Sequence, residues 1–335
     1  MKEKEKLKLL KALITKETSV DSLTSKLEMS KEEVMGLIEE LKLSGENVLT
    51  FKKQGEYYTI NHGDNVLQTN KPYIIKTNEK VVKIGLLSDT RLCSCYEQLS
   101  ILNDIYKKGN KYGVKDYFLV GDISEGIYRG NNSNLNETVF AHDVYSQADY
   151  IIENYPEIEG VKTHFITGEH DKTLFTKNDK TDIGKLISAN RDDMVYLGQG
   201  RRKINFINED NKKLFDMLLI HPTGRVPYTV SYKPQQFINS LRSENKVDFL
   251  VHGHWLQADA FELRETNEYS VPGVVATTPE MEIKGDQNIV GAWYLEVHLN
   301  DKNKIERIVP IFSPYYNTYE DDYKSAKALV LKKEK

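Results

Sequence analysis

Apolar residues along this chain follow two different spacings, and the change between them divides it. Within residues 1–62 the spacing is helical. Leu7, Leu10, Leu13 and Ile14 form one stripe, Val20, Leu23 and Leu27 a second, and Val34, Leu37, Ile38 and Leu41 a third at i, i+3, i+4 and i+7, which predicts three short helices. Ser30 and Glu33 have the capping-box spacing at the start of the third, and Gly45 stands where a C-cap belongs. Residues 48–52 and 57–61 then read as two strands joined through Gln54 and Gly55. The stretch 63–80 is polar, includes Lys71-Pro72, and reads as a linker.

From Val81 onward short apolar runs stop abruptly at polar residues. VVKIGLLS ends before Asp89, YFLV before Gly121-Asp122, THFIT before Gly168-Glu169-His170-Asp171, LFDMLLI before His221, and VDFLVH before Gly253-His254. Between them, Tyr96, Leu99, Leu102 and Tyr106, and then the amphipathic stretch 137–154, predict helices. Strand alternating with helix implies an α/β layer architecture, in which strand ends share one loop edge and ligands gather there. Beyond Gly253 the stretches 268–277, 291–299 and 304–311 are strand-like, predicting a second, largely antiparallel sheet. Residues 314–323 read as a covering loop and 324–335 as a basic helix or frayed tail, so the domain limits expected are 1–62, 81–318 and a tail over 319–335.

The strand ends carry carboxylates and imidazoles, the side chains that hold hard-to-borderline metal ions. Composition narrows the setting without naming a reaction. The 335 residues suggest roughly two domains. No apolar run approaches the ~20 residues of a membrane span and the N-terminus has no secretory pattern, so the expected setting is cytoplasmic, with no membrane partner. Cys93 and Cys95, the sole cysteines, are too close for an ordinary disulfide and too few for a zinc cluster. A net charge of −4 gives no global basic signature, so any nucleic-acid contact must be local.

Set in order, Asp89-Thr90-Arg91, Gly121-Asp122, Gly168-Glu169-His170-Asp171, His221 and Gly253-His254-Trp255-Leu256 resemble the motifs DxH, GD, GNHD or GNHE, H and GHxH of the calcineurin-like metallophosphoesterases, over about residues 81–312. The resemblance implies a pair of mixed sheets flanked by helices and a two-ion site. It places one ion between both residues of DxH, the GD aspartate and the second His of GHxH. Here that set keeps Asp89 and Asp122, but its histidines are replaced by Arg91 and Leu256. The other ion belongs to positions now held by Asp122, Glu169, His221 and His254, all competent donors. The expectation is therefore one divalent ion (Mn²⁺, Zn²⁺ or Fe²⁺), with the charge of Arg91 standing in for the lost one. Arg91 also has a plainer reading as a salt-bridge filler. His170 would contact phosphate or protonate the leaving oxygen, and Asp171 would orient it. His142 and His164 read as structural or exposed, and Tyr128-Arg129 as either a lining of the substrate entrance or ordinary loop residues.

The expected function is hydrolysis of a phosphodiester in nucleic acid, as a phosphodiesterase or nuclease, against the alternative of a catalytically silent scaffold that binds DNA or protein. Residues 1–62 resemble a winged helix-turn-helix by pattern alone. In that reading Lys52 and Lys53 of the wing touch nucleic-acid phosphate. Against it, Glu32, Glu33, Glu39 and Glu40 outnumber Lys31 and Lys42 on the third helix. Docking of a protein partner or homodimerisation is the competing role for this domain.

Overall fold

The computed structural model describes residues 6, 9–10, 13–14, 18–43, 48–53, 55–60, 71–127, 138–177, 181–286, 288–319 and 322. Two compact units divide the chain, one of residues 1–68 with 175–182 and one of residues 69–174 with 183–335.

In the first unit, β1 (Thr18–Ser19) leads directly into α1 (Val20–Leu27), which is followed by α2 (Lys31–Leu43), β2 (Val48–Lys53) and β3 (Gly55–Ile60). The Ser19 hydroxyl caps α1 by accepting from Ser22 N at 3.2 Å. The capping box before α2 is formed in both directions, Ser30 N to Glu33 and Glu33 N to Ser30 Oγ. The apolar stripes meet as a core of Leu10, Ile14, Val20, Leu23, Leu27, Val34, Leu37, Ile38 and Leu41. The strands form a three-stranded sheet in the order β1-β3-β2, and Lys52 and Lys53 pair through their backbones with Glu56 and Gly55. Glu32, Glu33, Glu39 and Glu40 are exposed on α2.

The second unit stacks two mixed sheets. Its chain order is β4 (Tyr73–Lys76), β5 (Val81–Leu87), α3 (Leu99–Tyr112), β6 (Asp116–Val120), α4 (Val144–Asn154), β7 (Lys162–Thr167), α5 (Glu169–Lys177), α6 (Ile183–Asn190), β8 (Met194–Gln199), β9 (Arg201–Ile207), β10 (Lys213–Ile220), α7 (Tyr232–Ser240), β11 (Phe249–His252), β12 (Asp259–Leu263), β13 (Thr266–Ser270), α8 (Pro279–Lys284), β14 (Val290–Leu299) and β15 (Ile305–Tyr315). One six-stranded sheet runs β15-β14-β5-β6-β7-β8, with β5 to β8 parallel, and the other runs β12-β13-β11-β10-β9-β4. Between them lies the core, in which Ile84, Leu86, Phe118, Val120 and Ile166 of the first sheet meet Phe206, Phe215, Met217, Phe249 and Val251 of the second.

Two sequence expectations are corrected. Residues 268–311 do not build a separate antiparallel sheet: β13 pairs parallel with β11, whereas β14 runs antiparallel along the free side of β5. Alternation of apolar and polar positions sets which face a strand buries, and is silent on which neighbour it pairs with. Within the stretch read as a linker, Tyr73–Lys76 is an edge strand parallel to β9; residues 61–70 lie outside the described residues, as do Tyr128-Arg129 and, apart from Tyr319 and Asp322, the tail 319–335.

The segment after β5 is fastened from below by Glu97, fully buried, which accepts from Cys93 N at 2.8 Å and from the Tyr150 hydroxyl on α4. Burial pushes its carboxyl up to about 7. Because the unfolded chain ionises this group near 4.5 while the folded chain still holds the proton, Glu97 supports the fold fully below about pH 4.5 and that support is lost as the pH rises to about 7. Denaturant titrations between pH 4.5 and 7 are expected to show this decline in the native chain and a flatter profile in Glu97→Gln. At α4, Asp143 accepts from Tyr145 N and Ser146 N; Asp143→Ala is expected to cost about 1 kcal/mol, seen as a lower midpoint at constant slope, and Asp143→Asn to cost little.

Candidate metal centre

The C-terminal ends of β5, β6 and β7 in one sheet and of β10 and β11 in the other open onto a common edge, and each ends in a site residue. Asp89 follows β5, Asp122 follows β6, Glu169, His170 and Asp171 begin α5 just after β7, His221 follows β10, and His254 follows β11. Small residues permit the approach. A Cβ on Gly168 would come within 2.2 Å of Asp122 Oδ1 and 2.6 Å of His221 Nε2, so any other residue would displace the ligands.

Asp122, His221 and His254 each turn one donor atom to a shared point, with these atoms within 4.8 Å of one another. The tautomers are set from behind. His221 Nδ1 donates to Val120 O at 2.7 Å and His254 Nε2 to Gly224 O at 2.8 Å, leaving His221 Nε2 and His254 Nδ1 as lone-pair donors. Those two nitrogens and Asp122 Oδ2 are buried and have no hydrogen-bond partner. His221 Nε2 and Asp122 Oδ2 stand 3.2 Å apart without hydrogen-bond alignment. Convergent buried atoms left unpaired are costly unless a cation satisfies them. Glu169 is the available fourth donor, with Oε1 3.6 Å from His254 Nδ1 and its side chain a third exposed. The residues therefore fit one divalent ion.

Charge agrees. Burial opposes ionisation of Asp122, yet the facing His221, His170 and Arg91 outweigh it and hold the carboxyl far below the usual range. Burial likewise opposes a charge on His221, and Asp122 and Asp89 override it, raising the imidazole to about 10. A proton and a divalent ion would compete for the same Nε2 lone pair.

Asp89, expected among the metal ligands, is committed elsewhere. Its Oδ1 accepts from Ser88 Oγ at 2.7 Å and His254 N at 3.0 Å, and its Oδ2 from Arg91 Nη2 at 3.1 Å. Arg91 is itself buried, with the Asp89, Glu125 and Asp122 carboxylates outweighing burial and raising its pKa. Leu256, where a histidine would complete a second site, is buried. The Asp89–Arg91 ion pair and Leu256 fill this half of the pocket.

His170 donates its backbone N–H to Asp122 Oδ1 at 2.9 Å, and its Nδ1 lies 3.0 Å from Glu125 O and 3.6 Å from Glu125 Oε1. Asp171 does not take the orienting role expected of it. Its carboxylate accepts from Gly168 N, Ser124 N, Ser124 Oγ and Ile123 N, tying the β6 and β7 loops together, and burial with the nearby Asp122 charge pushes it up to about 6. Glu125 fills that place and was missed; its signal was a carboxylate three residues after Asp122 at the same strand end. His142 lies apart from this cluster, and His164 is a buried partner of Asp116 at 2.7 Å, as read from the sequence. Lys52 and Lys53 belong to the other unit.

Comparison of the sequence with protein-family models and with curated proteins returns no match. Solved structures similar to this one include an archaeal phosphodiesterase (11% identity, 69% of this chain and 100% of that one, TM-score 0.39). Zinc-bound wild-type Vps29 of Entamoeba histolytica (12%, 70% and 99%, 0.35) and vacuolar protein sorting 29 of Cryptosporidium parvum (10%, 71% and 100%, 0.36) are also similar. With two mixed six-stranded sheets face to face and the five motifs gathered at one end of them, the second unit has the paired-sheet α/β architecture that the sequence resemblance to calcineurin-like metallophosphoesterases implies.

Proposed function

We propose that the chain is a one-ion phosphodiester hydrolase in which Arg91 takes over part of the electrostatic work of a second metal. The observation that carries this reading is the convergence of Asp122 Oδ2, His221 Nε2 and His254 Nδ1, buried and unpaired, beside an Arg-closed second seat. Asp122, His221, His254 and Glu169 would hold a divalent ion. Such an ion polarises a phosphoryl oxygen and lowers the pKa of a water.

The protein's own groups supply the rest. Arg91 places a permanent positive charge in a dry pocket, where it favours the extra negative charge that phosphoryl oxygens gain in the transition state. Asp89 keeps that guanidinium in place. Glu125, by fixing the proton on His170 Nδ1, leaves the reactive lone pair on Nε2; the protonated ring can deliver its Nε2 proton to the leaving oxygen. Asp171 holds the two loops that carry Asp122 and His170 in register.

A second reading, a scaffold without turnover, is favoured by the engagement of both Asp89 oxygens, which closes the other ion's seat. In it the first unit, as a winged helix, would recruit nucleic acid through Lys52 and Lys53, or a protein partner or second copy. The substrate expected in the catalytic reading is nucleic acid.

Elemental analysis after Mn²⁺ loading and desalting is expected to return one ion per chain. His254→Ala should remove it, whereas Asp89→Asn should keep it while loosening Arg91; equal loss in both variants would refute the assignment of ligands. His170→Ala should lower Mn²⁺-dependent hydrolysis of bis(p-nitrophenyl) phosphate by ~10²–10⁴-fold, as expected for loss of a general acid. Arg91→His combined with Leu256→His should seat a second Mn²⁺ and speed hydrolysis. A folded double variant that takes up no second ion would favour the scaffold.

A further inference from the structure

Two stretches of the chain that border the acidic centre contain no carboxylate. From Met217 to Ser243 it contains neither Asp nor Glu but has Arg225, Lys233 and Arg242, and from Met194 to Asn208 it again lacks both while carrying Arg201, Arg202 and Lys203. These two stretches meet at the metal ligand. His221 N donates to Gly200 O at 2.8 Å, and Arg201 pairs with Ile220, the residue before His221.

The loop after His221 is attached to the other imidazole ligand. Gly224 O accepts both His254 Nε2 at 2.8 Å and Trp255 Nε1 at 3.2 Å. Lys233 donates to Arg225 O at 2.9 Å and lies over the Trp255 ring, 5.1 Å from its centroid, which fixes the start of α7 against this loop. On this framework Tyr228 is fully exposed at 107% and Tyr232 is 56% exposed, with Arg225 exposed beside them. Rings turned to water expose apolar faces that lower their free energy by stacking; Lys203 and Arg242 pair with Asp216 and Glu244, and among the described residues Arg225 and Arg201 have no ion pair.

We infer that residues 222–233 form a platform for single-stranded nucleic acid, with Tyr228 and Tyr232 stacking on bases and Arg225 and Arg201 contacting phosphates as the strand runs toward the ion-binding centre. The inference rests on the phosphodiester reading for its orientation, and it names the substrate class of that same site. It also separates strand binding from the first unit, whose α2 surface is acidic. Stacking on a π-face tolerates any base, so the platform selects for strandedness: a duplex hides the faces that the tyrosines would cover.

The test is fluorescence anisotropy of the full chain with a fluorescein-labelled oligothymidylate of ~20 nucleotides, in EDTA, beside a duplex of the same length. Tyr228→Ala is expected to weaken single-strand binding by ~5- to 100-fold and Tyr228→Phe to restore it, because the ring stacks without its hydroxyl. Arg225→Ala should reduce the slope of log affinity against log salt by ~0.7. Equal affinity for the duplex, or binding indifferent to Tyr228→Ala, overturns the platform. The two proposals fail separately. Hydrolysis of bis(p-nitrophenyl) phosphate by the native chain together with Tyr228-independent strand binding refutes the platform alone; Tyr228-dependent binding without any Mn²⁺-dependent hydrolysis refutes the phosphoesterase reading alone.

Discussion

The carboxylate of Asp89 is the joint on which the centre depends. One oxygen accepts the backbone N–H of His254, from the loop after β11, while the other carries Arg91, from the segment after β5. Those loops come from different sheets, so a single buried anion holds the rims of the two sheets together. An anion in that position must be compensated, and Arg91 meets the requirement with a charge that no physiological pH removes. With both Asp89 oxygens engaged in this way, the donor atoms that converge without hydrogen-bond partners are those of Asp122, His221 and His254.

Backbone conformation around these residues is unusual and informative. Asp89, Arg91, Asp122, His254 and Leu256 all have left-handed φ, between 42° and 74°. Asp and His tolerate that region better than most side chains, whereas for a bulky Leu it is strained by about 1–3 kcal/mol. The strain at Leu256 is held by its burial and by the backbone bond from Ile289 N at 2.9 Å. Arg91 and Leu256 thus share the left-handed backbone of the Asp89, Asp122 and His254 positions around them.

Much of this was legible before the structure because strand ends punctuate strongly. A buried apolar run that stops at Gly-Asp or Gly-His fixes both the end of the strand and the place of the polar group, so Asp122, His221 and His254 could be assigned together. Glu125 was not legible in the same way, since its part depends on the Asp122 turn bringing its carbonyl to His170 Nδ1. Nor was the fate of Asp171, whose acceptors are chosen by how two loops pack. His252, Glu268 and Ser270 illustrate the same limit: alternate positions on β11 and β13 place them in one buried polar cluster behind His254, through a parallel pairing that no local pattern announces.

Gly224 receives both the His254 and Trp255 ring N–H groups, so the exposed loop and the proposed ligand His254 share one acceptor. An occupant that reordered residues 222–233 would then change the orientation of the His254 lone pair, and an ion drawing on that lone pair would restrain the loop. Thermodynamic reciprocity then requires the two affinities to change by the same factor. On the proposed reading, the carbonyl of a residue with no side chain would be a coupling element, through which a bound ion would report whether the surface above it is filled.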